Sequence, residues 1–115
     1  SFAYYPMKYH TTLTQEAWSK TSIVFQLANI GSEIERTISW KQKGNIEYSH
    51  KAFDRALELL DLSLSGPLTY PQQKEFTRMR ELLVDWFIGT NKWHSTDKLW
   101  QRYFYAFAYA ARNHP

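Results

Sequence analysis

The chain has 115 residues and a mass of 13.7 kDa, the size of one domain, and it holds no cysteine. That excludes thiol catalysis, disulfide scaffolds and thiolate metal sites. Twenty aromatic residues (7 Phe, 8 Tyr, 5 Trp) argue against an unfolded polymer, and no apolar run approaches the roughly 18 residues of a membrane span. The net charge is +3, and all of the excess lies in residues 67–115, which carry seven basic and four acidic side chains.

Residues 1–13 are polar and aromatic and show no secretory leader pattern. They are expected to be an extended segment whose Phe2, Tyr4, Tyr5 and Tyr9 dock on a helical surface. Residues 14–115 are expected to form a single helical domain. A long first helix is predicted from Gln15 to Lys43, because Ile23, Leu27, Ile30, Ile34 and Ile38 recur at helical spacing. A bend is expected at Asn29-Ile-Gly31-Ser32. Gly44 is a natural stop, and Asn45 is a natural cap for a second helix, Ile46 to Ser65. That helix buries Ala52, Phe53, Ala56, Leu57, Leu60 and Leu64 and ends at Gly66-Pro67.

Pro71 suits the first turn of a third helix, lined by Phe76, Met79, Leu83, Trp86 and Phe87 and stopped by Gly89. Ser95-Thr96-Asp97 caps a fourth, Asp97 to Arg112, expected to bury Leu99, Trp100, Tyr103, Phe104, Phe107, Ala110 and Ala111. No segment alternates with period two, so the expected class is all-α. Four amphipathic helices on short loops imply an antiparallel up-down-up-down four-helix bundle. A tetratricopeptide reading of Trp40, Gly44 and Ala56 fails for want of a second copy and of a break near Ser49-His50-Lys51.

Candidate chemistry is sparse. Glu47-Tyr-Ser-His50 matches the Glu-x-x-His pair of di-iron bundles, but no second copy exists. Projection places Glu47, His50, Asp54, Glu58 and Asp61 on one stripe, expected to be a solvated acidic face. RNA-cleaving bundles of the HEPN type need an Arg and a His several residues apart; Arg112-Asn-His114 is too short, so only the bundle class is shared. None of the four glycines begins a phosphate loop. No cofactor and no metal is expected.

Binding surfaces are the stronger reading. Arg102, Tyr105, Tyr109 and Arg112 fall on the face of the last helix expected to point away from Leu99, Tyr103 and Phe107. Arg and Tyr there suit a protein interface, or stacking and phosphate contact with RNA, or packing on the N-terminal segment. Trp18, Phe25 and Trp40 lie off the isoleucine stripe, which points either to a second layer or a second copy of the chain, or to a bend near Gly31 that turns them all to the same core. Trp93, in the loop from Gly89 to Asp97, is either a partner anchor or a plug over the end of the bundle.

The stretches Asn29-Ile-Gly-Ser-Glu33, Trp40-Lys-Gln-Lys-Gly-Asn45, Arg55-Ala-Leu-Glu-Leu-Leu-Asp61, Arg80-Glu-Leu-Leu-Val-Asp85 and Tyr103-Phe-Tyr-Ala-Phe-Ala-Tyr-Ala-Ala-Arg112 together resemble a family of small, uncharacterised prokaryotic proteins. The resemblance implies an all-helical cytoplasmic protein without an assigned activity. The expected function is therefore non-enzymatic: protein–protein interaction with self-association, with RNA binding by the last helix as the alternative.

Overall fold

The structure, a computed structural model, describes residues 14–113. The extended segment expected over 1–13, with its four aromatics and His10, and also His114, lie outside the described residues. Five α-helices and no strand are present among the described residues: α1 (Gln15–Ser19), α2 (Ile23–Gln42), α3 (Ile46–Leu64), α4 (Tyr70–Phe87) and α5 (Asp97–Asn113). The all-α class is as expected. No helix is long and apolar enough to cross a membrane.

The predicted first helix is in fact two. Thr14 caps α1 through the Ala17 amide, and Ser22 caps α2 through the Phe25 amide. Between them the Thr21 hydroxyl donates to the Trp18 carbonyl at 2.6 Å, which satisfies an orphan acceptor at the end of α1. The break turns α1 across the C-terminal half of α3, and α2 then runs unbroken through Gly31.

Gly31 is therefore not a bend. A Cβ there would lie 2.7 Å from Phe104 Cβ and 2.9 Å from the Phe104 ring. Its missing side chain lets α2 and α5 approach more closely than any other residue type would allow. Helix α3 follows Asn45, whose side chain accepts from the Tyr48 amide. Thr69 and Gln72 form a reciprocal capping box at the start of α4, with Pro71 in the first turn. The Thr96 hydroxyl accepts from the Leu99 amide at the start of α5.

The core is formed by Leu27, Ile30, Ile34 and Ile38 of α2, Phe53, Ala56, Leu57 and Leu60 of α3, Phe76, Met79 and Leu83 of α4, and Trp100 and Phe104 of α5. Polar pairs pin the helices. Ser49 donates to the Thr37 carbonyl at 2.6 Å, and Arg55 Nε meets Glu33 at 3.2 Å. Arg80 binds Asp61 with both Nε and Nη2, at 2.6 and 3.3 Å, between α4 and α3. Lys41 meets Asp97 at 2.6 Å between α2 and α5. Helices α4 and α5 meet through Trp86 and Trp100, with centroids 6.2 Å apart, and through Tyr103 and Glu75.

The acidic stripe of α3 differs from its expected solvation. Asp54 and Glu58 are buried, and Asp61 is engaged by Arg80. Only Glu47, paired with Lys51, keeps the exposed character expected of that face. Leu99 is also a correction: expected in the core, it is 53% exposed. The buried stripe of α5 centres on Trp100, Phe104 and Phe107, and by 100° per residue Leu99 sits at its edge, turned outward.

Candidate interaction surface

The residues singled out for partner contact do not form one surface. Trp18 leaves the set: it is 4% exposed, because the break at 20–22 folds α1 inward. Its indole N–H donates to Ser63 Oγ at 2.8 Å, and Ser63 in turn donates to Gln26 Oε1 at 2.7 Å. The Gln26 amide closes the network on the Trp18 and Thr21 carbonyls at 3.2 Å each. Trp18 is thus a satisfied core indole that ties α1 to α2 and α3.

Phe25 remains outside. It is exposed at the lip of a depression shared with Trp18, Asn29, Arg36 and Leu59. Trp40 is half-buried at the α2–α3 turn. Its ring meets Tyr48 edge-on at 5.0 Å, Lys43 covers it at 5.0 Å, and its carbonyl accepts from the Asn45 amide. These contacts commit Trp40 to the local turn.

Trp93 is not a plug, since it is 64% exposed. Its loop is held from below: the Asp85 carboxylate accepts from the Lys92 and Trp93 amides at 2.8 and 3.1 Å. The Asn91 side chain brackets Ser95 through both its backbone groups, with Asn91 in the left-handed region at φ 55°. An ordered loop therefore presents Trp93 beside Val84 and Ile88.

Arg102, Tyr105, Tyr109 and Arg112 do share one exposed face of α5, as their spacing predicts. Tyr105 and Tyr109 are 61% and 55% exposed, with ring centroids 6.4 Å apart. Leu99 extends this face toward the start of the helix, a member that its core assignment had hidden. The same face carries Lys98; Asp97 is paired with Lys41, and Glu35 of α2 accepts from Gln101 at its border at 3.4 Å.

Next to this face, a groove of about 240 Å³ opens between α4 and α5, lined by Glu75, Arg78, Met79, Leu82, Ser95, Leu99, Trp100 and Tyr103. Tyr103 donates its hydroxyl proton to Glu75 here. Burial first, and then the Glu75 charge and hydrogen bond, push its phenol up to about 12 from the ordinary 10.0. The folded state thus holds this proton more tightly than the unfolded state. Its contribution to stability is complete below pH 10 and is lost as pH rises toward about 12. Thermal unfolding followed across that interval should show a falling Tm in the wild type and a shallower fall in Tyr103→Phe; equal slopes would contradict the assignment.

His50 packs on the Phe87 ring at 5.2 Å, and neither His50 nor His94 meets a carboxylate. No group of three metal-ligating side chains occurs among the described residues. No family model, curated protein or solved structure matches the chain.

Proposed function

We propose that this chain is a non-enzymatic protein that acts by binding other proteins, built as an up-down-up-down antiparallel four-helix bundle with α1 closing one end. Support for the bundle comes from the pairings. Residues 37, 33 and 26 of α2 meet 49, 55 and 63 of α3, so numbers rise on one helix as they fall on the other. The same reversal relates 61 and 50 of α3 to 80 and 87 of α4. It also relates 41 and 31 of α2 to 97 and 104 of α5, and 86 and 75 of α4 to 100 and 103 of α5.

The observation that carries the functional reading is the α5 face: Leu99, Tyr105 and Tyr109 more than half exposed in one stripe with Arg102 and Arg112. Large apolar groups left in water on one face are unfavourable unless a partner covers them, and Tyr and Arg dominate interface energetics. Self-association belongs to a different surface, the Val24–Phe25 lip of α2. A two-fold contact through α5 would set Arg102 and Arg112 against their own copies, whereas Phe25 carries no such penalty.

A photo-crosslinking residue in place of Tyr109, installed in cells that make this protein, is expected to give protein adducts. The same residue at Phe25 is expected to give a dimer of the chain. Nucleic-acid adducts at Tyr109, or no adduct there, would overturn the protein-binding reading. A Phe25 probe that never links two copies would remove self-association.

A further inference from the structure

We infer that the groove between α4 and α5 receives an acidic amphipathic helix of a partner protein, an inference that rests on the protein-binding reading and specifies its ligand. Three observations converge on this groove. The first is its shape. Gly31 draws α5 against α2, while α4 and α5 are held apart by Trp86 and Trp100. The gap left over is floored by Met79, Leu82 and Trp100, edged by the exposed Leu99, and holds one carboxylate, Glu75, which Tyr103 engages. At about 240 Å³ it falls below the roughly 300–1,000 Å³ of small-molecule sites. It has room for the anchor side chains of a helix that continues along the surface.

The second observation is charge. Of the four carboxylates in residues 67–115, three are occupied within the molecule: Glu75 by Tyr103, Asp85 by loop amides and Asp97 by Lys41. Several cations of α4 and α5 are not, and Arg78 among them lines the groove. Lys74 and Arg78 on α4, and Lys98, Arg102 and Arg112 on α5, have no ion-pair or hydrogen-bond partner for their head groups among the described residues. Unpaired cations thus stand on both helices that flank the cleft, with Arg78 in its wall.

The third observation is the order of these features across the surface. By helical projection, Arg78 lies on the outer side of Leu82, and Arg102 lies on the outer side of Leu99. A largely apolar slot, its one carboxylate bonded to Tyr103, with an arginine on each side is the complement of a helix with an apolar stripe flanked by carboxylates. RNA would engage the rim but would leave the slot and Leu99 in water.

The test uses the whole chain and a fluorescent synthetic helix with leucines at i, i+3, i+4 and i+7 and glutamates elsewhere, read by anisotropy. Two probes accompany it: the same peptide with lysine for glutamate, and a single-stranded uridine oligomer. Saturable binding of the acidic peptide alone is expected. Leu99→Glu and Arg102→Glu, both exposed substitutions, should each weaken it by roughly tenfold or more. Ile46→Glu, at an exposed apolar position on α3, should leave it unchanged. Circular dichroism of each variant confirms that the fold is retained.

The inference is overturned by any of three results: no binding of the acidic peptide, binding indifferent to Leu99→Glu, or preference for the uridine oligomer. Failure here together with protein adducts from the Tyr109 probe would leave protein binding standing and remove only the acidic helix.

Discussion

Gly31→Ala should destabilise the fold by about 2 kcal/mol, although alanine is the better helix former. The intrinsic preference favours alanine by about 1 kcal/mol. Against it stands a new Cβ at 2.7 Å from Phe104 Cβ, an atom fixed to the α5 backbone that no rotamer change can move. Overpacking of this kind costs up to about 3 kcal/mol, so the clash wins. Chemical denaturation of Gly31→Ala and Ser32→Ala provides the comparison. The exposed neighbour should shift by no more than about 0.5 kcal/mol, whereas a larger side chain at 31, as in Gly31→Leu, should prevent α5 from docking. A stabilised Gly31→Ala would show that the two helices do not cross there.

Ser63→Ala should cost about 2–4 kcal/mol, far more than the loss of one surface hydroxyl. Ser63 accepts from the Trp18 indole and donates to Gln26, and all three side chains are buried. Removing the hydroxyl strands a donor and an acceptor together, each at about 1–3 kcal/mol. Helix α1, five residues long, cannot persist without tertiary contacts, so its docking should loosen first. Trp18 emission would then shift to the red before global unfolding. In a double-mutant cycle, Trp18→Phe with Ser63→Ala should cost less than the sum of the single changes, because the shared hydrogen bond is lost only once. Strict additivity would break the proposed link.

The elements that could be read from sequence are those whose causes are local. The second, third and fourth predicted helices match α3, α4 and α5 to within about two residues. Asn45, the Thr69–Gln72 box and Thr96 lie beside the turns they cap. The missed break in the first helix also had a local signal, Thr21-Ser22 ahead of Ile23. The longer isoleucine period overrode it, since nothing in that period shows where α1 departs.

Gly31 could not have been read in the same way. Its reason is Phe104, which only the assembled fold brings near. The same holds for the charge on α3. A stripe of acidic residues predicts solvent until Arg80 and the neighbouring elements are in place, and then Asp54 and Glu58 turn out to be buried. Of the candidate surface, the α5 face followed from spacing alone. Leu99 did not, because a leucine in an amphipathic pattern is assigned to the core unless the exact edge of the buried stripe is known. Trp18 was misplaced for the opposite reason, since its position depends on a turn three residues later.

The contact between Gly31 and Phe104 also fixes an order of events during synthesis. Helix α2 emerges from the ribosome early, and its glycine face has no cover until α5 has followed it. Until then Gly31 faces the gap that Phe104 fills in the finished protein. A chain interrupted before Asp97 would keep that gap open, so quality-control proteases and chaperones would meet the shortened product as a sticky half-molecule rather than a smaller domain. The glycine that brings two helices together in the native protein therefore also makes the chain's survival depend on completing α5.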